Sequence, residues 1–135
     1  MRTIGQFVEH PFEPVYNNAS RILILGSFPS VKSREGEFYY HHPQNRFWKV
    51  ISTICNTKLP LTIEEKKQIL YDHGIALWDV VQSCEITGSS DSSIKNVKVN
   101  NISEILSRTK ISKIIANASF SLEKLIEYWS DSIII

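Results

Sequence analysis

Three stretches of this sequence gather side chains suited to holding a flat, polar ligand. The first is Gly26-Ser27-Phe28-Pro29-Ser30. A glycine there lets a ligand approach the backbone closely, and the hydroxyls of Ser27 and Ser30 can hold phosphate oxygens. The second runs from Glu37 to Trp48 and is dense in aromatic residues. Phe47 and Trp48 fall on a helix face and read as core. Phe38, Tyr39 and Tyr40 lie in a loop, where rings commonly form a stacking wall worth about 1–3 kcal/mol per base. Asn45 either caps the following helix or offers its amide to a ligand. The third is Asn117, at the end of an apolar run. Its amide carries both a donor and an acceptor, the pair that reads a base edge; capping a turn is the simpler role. Adjacent histidines His41 and His42 do not suggest a metal, because neighbours rarely ligate one ion and no HxxE, HxH or CxxC lies nearby. Taken singly, each of these features also has a purely structural explanation.

The segments between them specify how they are positioned. Arg21-Ile22-Leu23-Ile24-Leu25 is a short, nearly continuous apolar run, the mark of a strand buried on both faces of a parallel sheet. Asn45 to Cys55 reads as a helix with Phe47, Val50, Ile51 and Ile54 on one face. Thr62-Ile63-Glu64-Glu65 is a capping box opening the next helix, and Gly74 ends it. Ile75 to Val81 is a second apolar strand, and Cys84 to Ser93 reads as loop. Asn101 caps another helix, with Glu104 three residues on. Lys113 to Asn117 is a third strand, Leu122 to Trp129 an amphipathic helix, and Ser132 to Ile135 opens a fourth strand. Val8 to Ser20, with Pro11, Pro14 and Asn17-Asn18, is an irregular lead-in. The pattern predicts an α/β fold: three α/β/α layers around a central four-stranded, mainly parallel sheet, in a single domain over 1–135. Ligand sites in such sheets lie beyond the carboxyl ends of the strands. That would gather 26–45, 79–93 and 117–120, with a fourth loop expected after Ile135.

Composition narrows the class. The chain has 135 residues, 42% hydrophobic and 21% charged, as in ordinary globular domains. No apolar run approaches the roughly 20 residues of a membrane helix, and the N-terminus lacks the apolar core of a secretory signal. Two cysteines, Cys55 and Cys84, are too few for a disulfide framework or a four-thiolate cluster. The expectation is a cytoplasmic protein with reduced thiols and no membrane partner. A net charge of +1 neither demands nor excludes nucleic acid. Locally, Lys95, Lys98, Arg108, Lys110 and Lys113 face the single acid Glu104, a patch able to attract phosphates.

Together, Gly26-Ser27-Phe28-Pro29-Ser30, Phe38-Tyr39-Tyr40 and His42-Pro43-Gln44-Asn45-Arg46-Phe47-Trp48 resemble the first active-site region of the uracil-DNA glycosylase superfamily. The likeness is greatest to the hypoxanthine-DNA (deoxyinosine) glycosylase branch. His73-Gly74-Ile75-Ala76-Leu77-Trp78-Asp79-Val80 and Gly88-Ser89-Ser90-Asp91-Ser92-Ser93-Ile94 extend the resemblance over essentially the whole chain. The resemblance implies that a deaminated nucleotide is flipped from double-stranded DNA and its N-glycosidic bond hydrolysed, without metal or nucleotide cofactor. It implies that Asn45 orients the water and stabilises charge, an amide being no base near neutral pH. It further implies that Tyr39 or Phe38 stacks on the base, and that Asn117 reads its edge. Gly26, Ser27, Pro29, Ser30 and His42 would line the pocket or hold phosphate. Phe28 stands where the mismatch-specific uracil branch has its water-positioning asparagine and cannot take that role, so it is expected among the base-binding residues with Phe38, Tyr39 and Asn117. The absence of four cysteines argues against the iron–sulfur branches. Family members continue into a Pro-Ser loop and a final helix that wedge into the minor groove. This sequence stops at Ile135, so the expectation is a C-terminally incomplete domain whose activity rises when that segment is added. The alternative is a crippled DNA- or nucleotide-binding remnant of the same fold. Another hydrolase on a doubly wound fold is disfavoured, since no nucleophile elbow is present.

Overall fold

The computed structural model describes residues 5–42 and 45–117. The expected helix over 122–129, the strand over 132–135, and Pro43, Gln44 and Phe120 lie outside them.

Three strands follow the pattern read from sequence. β2 (Ile22–Gly26), β3 (Ile75–Asp79) and β6 (Lys113–Ala116) form a parallel sheet in the order β3-β2-β6. Period-two alternation sends side chains to opposite faces. Leu23, Leu25, Ala76 and Ile114 join one core cluster, which includes Ile102 of helix α4 (Ile102–Arg108). Ile24, Ile75 and Leu77 join the other, with Trp48 and Ile51 of α2 (Phe47–Ile54) and Ile69 and Leu70 of α3 (Ile63–Asp72). Both faces are therefore covered, which is why these runs are continuously apolar.

The expected four-stranded, mainly parallel sheet is corrected. The described residues form two sheets of three strands, and the second is antiparallel. It comprises β1 (Gln6–Glu9), β4 (Val81–Ile86) and β5 (Lys95–Val99), in the order β1-β4-β5. β1 overlaps only the start of the stretch from Val8 to Ser20 read as irregular, and β4 extends to Ile86, into the stretch from Cys84 to Ser93 read as loop, with β5 following it. The apolar run from Ile75 is also interrupted: β3 stops at Asp79 and β4 starts at Val81. Backbone bonds from Val80 N to Gly26 O (2.8 Å) and Val81 N to Ser27 O (3.1 Å) dock this junction onto the end of β2.

The helices follow local rules with two exceptions. The Thr62 hydroxyl accepts from Glu65 N at 3.1 Å, while the Glu65 carboxylate accepts from Thr62 N at 3.2 Å, completing the capping box. Gly74, at φ 68°, follows α3 in the left-handed region that a glycine enters without strain. Asn101, however, makes no side-chain capping bond to α4. On α2, Trp48, Ile51 and Ser52 are buried, while Val50 and Ile54 of the expected apolar face are exposed. The loop after β2 also holds a short helix, α1 (Val31–Gly36), capped by Ser30.

Candidate base-binding site

Register places the site. Gly26 pairs with Asp79 across β2 and β3, and Asn117 N donates to Leu25 O at 2.9 Å just beyond β6. The carboxyl ends of the three parallel strands therefore converge, where ligand sites are expected. A cavity of about 260 Å³ opens there. Gly26, Ser27, Phe28, Pro29 and Ser30 form one side of it, while Tyr39, Asn45 and Asn117 close it from the other.

Phe38 and His42 do not line this cavity. Phe38 is buried in the core, stacked on Trp48 with ring centroids 5.9 Å apart. His42 borders an adjacent groove with Arg46, Lys49 and Lys66. The Tyr40 ring of the expected stacking wall lines it, and so do residues given no site role from sequence: Ser33, Asp79, Ser89 and Asp91. The signal for Asp91 and Ser89 was available in the Ser-rich turn, because a turn between two strands at the sheet's carboxyl edge faces the site.

Local bonds fix the wall made by the β2 loop. Ser27 Oγ donates to Asp91 Oδ2 at 2.8 Å, and Val31 N donates to Ser89 Oγ at 2.9 Å. Arg34 donates to Pro29 O at 3.0 Å and Gly88 O at 3.1 Å, with its guanidinium 5.6 Å from the Phe28 ring centroid. The Ser30 hydroxyl caps α1 through Ser33 N at 3.2 Å. Both serines read as phosphate holders thus have structural partners.

The aromatic wall is built differently. Tyr39 packs edge-on against Phe12 (4.6 Å) and donates its hydroxyl to Glu13 O at 3.0 Å. Tyr40 stacks on Phe47 at 3.9 Å and accepts from Asn117 Nδ2 at 3.0 Å. Its backbone sits at φ 52°, a left-handed conformation that is costly for a bulky residue. Burial, reinforced by the nearby Asp79 carboxylate, holds both phenols well above their ordinary pKa. Asn45 is exposed at the mouth, where its Oδ1 accepts from Phe47 N at 2.8 Å. It therefore starts α2 and borders the cavity at once.

The floor carries a buried pair. Asp79 Oδ2 lies 2.7 Å from His10 Nε2, and the two side chains are 6% and 4% exposed. His10 follows β1, which pairs with β4, and His10 N donates to Gln82 O at 2.7 Å. The antiparallel sheet thus delivers the histidine to the end of the parallel one. Asn100 Nδ2 donates to Asp79 O at 2.7 Å and holds the aspartate backbone.

Comparison with known proteins agrees with this geometry. The uracil DNA glycosylase superfamily model matches residues 13–134. A protein from Methanosarcina barkeri named hypoxanthine DNA glycosylase is 34% identical over 93 residues, 68% of this chain and 59% of that protein. A protein of the same name from Methanosarcina acetivorans is 34% identical over 97 residues, 71% of this chain and 61% of that one. The chain thus spans about three-fifths of the length of the curated relatives it matches. A solution NMR structure of a uracil DNA glycosylase candidate from Methanosarcina acetivorans superposes with a TM-score of 0.80 at 28% identity, covering 96% of this chain and 83% of that one. With its parallel strands, its cavity and these matches, this chain belongs to the uracil DNA glycosylase superfamily.

Proposed function

We propose that this chain acts in base excision repair as a monofunctional DNA glycosylase that removes deaminated bases from double-stranded DNA, hypoxanthine foremost, with uracil and xanthine as further candidates. The observation that carries this reading is the meeting of the Asn45 and Asn117 amides with the Tyr39 and Tyr40 rings around one cavity. The relatives named hypoxanthine DNA glycosylase point the same way.

In this reading the target nucleotide leaves the duplex and its base enters the cavity, at a cost of a few kcal/mol that is least for a weakened pair. Water oxygen bonds to C1′ as the C1′–N bond breaks. The bonding pair leaves with the base, and the water's proton ends on the base. Asn45 orients the water and stabilises developing charge through its amide. Tyr39 and Tyr40 flank the base, and Asn117 meets its polar edge. The Lys95–Lys113 stretch and the groove beside His42 would face phosphates.

The test is strand nicking. A labelled duplex with one deoxyinosine is incubated with the protein, then treated with alkali to break abasic sites, beside matched uracil and lesion-free duplexes. Cleavage at the lesion is the expected result. DNA binding with no cleavage of any duplex would favour the binding-remnant reading instead. Asn45→Ala should lower single-turnover excision about 100-fold or more while leaving duplex affinity in place. Undiminished excision by that variant would remove Asn45 from the mechanism.

A further inference from the structure

Asp79 is the most buried charged residue among those described, at 4% exposure, and half of its carboxylate is committed. Oδ2 takes the bond to His10 Nε2. His10 Nδ1 lies 2.8 Å from Phe12 O, and a carbonyl can only accept, so Nδ1 carries a hydrogen. A carboxylate oxygen 2.7 Å from Nε2 then requires a second proton between them, since two lone pairs would repel. That shared proton leaves the pair with no net charge, which makes it tolerable in a site shielded from water.

Oδ1 has no bonding partner among the described residues, yet it is not sealed in the core. It reaches over Gly26 on the cavity wall, and a β-carbon at position 26 would overlap it. The Tyr40 hydroxyl lies 3.3 Å from that same point. The Tyr40 oxygen already accepts from Asn117, so its own hydrogen remains to be donated. The floor thus sets an unsatisfied acceptor beside a donor.

We propose that Asp79 is the specificity-determining residue of this cavity: Oδ1 accepts the ring N–H of an oxo-base, N1–H in hypoxanthine, while Tyr40 and Asn117 donate to the neighbouring carbonyl oxygen. Deamination of adenine converts N1 from an acceptor into an N–H donor. A fixed carboxylate oxygen bonds the product and opposes the parent, whose N1 lone pair would leave it unpaired. Uracil and xanthine also carry a ring N–H beside a carbonyl, so the contact defines a class of bases. Guanine shares this N1–H, and its exclusion falls to whatever meets its 2-amino group. His10 is a positioning residue, holding Oδ2 so that Oδ1 faces the base.

The inference deepens the glycosylase reading, but its test does not depend on turnover. Binding of free hypoxanthine and free adenine is measured by calorimetry for the wild-type chain, Asp79→Ala and Asp79→Asn. Wild type should prefer hypoxanthine by about tenfold or more, the worth of one hydrogen bond to a charged group. In Asp79→Ala, hypoxanthine should weaken by a similar factor while adenine does not. Asp79→Asn should keep the preference. With Nδ1–H fixed on Phe12, neutral His10 presents its Nε2 lone pair, takes the new NH₂, and turns the amide oxygen toward the base. Thermal melting checks that each variant folds. If Asp79→Ala does not, Gly26→Ala replaces it, because the added methyl displaces Oδ1 and should erase the same preference. Equal binding of the two bases by wild type, or an unchanged preference in Asp79→Ala, overturns the assignment. Nicking of the deoxyinosine duplex alongside such a result would leave the glycosylase reading standing and remove Asp79. An Asp79-dependent preference without nicking would do the reverse.

Discussion

The two walls of the cavity are held by different forces. On one side, Tyr39, Tyr40, Phe47 and Trp48 form a chain of ring contacts with centroids 3.9–6.5 Å apart. The Trp48 indole N–H donates to Tyr39 O at 3.1 Å, and Trp48 is 5% exposed. On the other side, the β2 loop and the turn at Gly88–Asp91 are joined by single polar bonds: Ser27 to Asp91, Val31 to Ser89 and Arg34 to Gly88. Ring burial is non-directional and scales with area. Each polar bond contributes about 1 kcal/mol net, because water competes for it. The aromatic wall sets the shape of the cavity. The hydroxyl wall can exchange its bonds with a ligand at little cost.

This contrast can be broken from either side. Trp48→Ala should have the largest effect, a loss of about 3–5 kcal/mol in folding stability from the cavity left in the aromatic cluster. Chemical denaturation measures it, and a loss below 1 kcal/mol would mean the rings do not scaffold the site. Alkaline pH tests the same wall. Tyr39 and Tyr40 keep their protons above the ordinary phenol range because burial disfavours the phenolate. Below about pH 10 both phenols are neutral whether folded or unfolded, and their contribution to stability is complete. Above it, the unfolded chain releases protons that the folded chain retains, so stability falls as pH rises. Melting temperature should decline on the alkaline side, and Tyr40→Phe should flatten that decline. On the hydroxyl wall, Ser27→Ala should cost only about 1 kcal/mol, read by the same denaturation assay. Arg34→Ala should cost less than that where its charge meets solvent. A cooperative loss of several kcal/mol in either variant would make this wall a scaffold too, and the contrast would fail.

The same distinction explains what the sequence made legible. The parallel strands could be read because burial on both faces leaves a continuous apolar signature, as in Leu23-Ile24-Leu25 and Ala76-Leu77. The antiparallel sheet could not. Gln6-Phe7-Val8-Glu9 and Lys95-Asn96-Val97-Lys98-Val99 are largely exposed and mixed in polarity, so propensity and turn residues outweighed a weak alternation. Within the site, Gly26, Ser27, Asn45 and Asn117 stood at the ends of elements, where side chains have room to act. Asp79 was hidden inside an apolar run, and its partner His10 lies 69 residues away, a pairing with no local signature. Nor does periodicity choose among Phe38, Tyr39 and Tyr40. The left-handed backbone at Tyr40 and the stacking of Phe38 on Trp48 send Tyr40 to the cavity and Phe38 to the core.

That left-handed backbone has a consequence for how this surface can evolve. A bulky side chain at φ 52° costs about 1–3 kcal/mol, and glycine at position 40 would escape the penalty. Glycine would also forfeit the stacking on Phe47 and the bond from Asn117, so packing of the ring offsets the strain of the backbone that carries it. Lineages or laboratory libraries screened only for thermal tolerance should therefore keep an aromatic ring at position 40 and be free to lose only its hydroxyl, so a shift from Tyr to Phe there would mark a relaxed demand on the pocket.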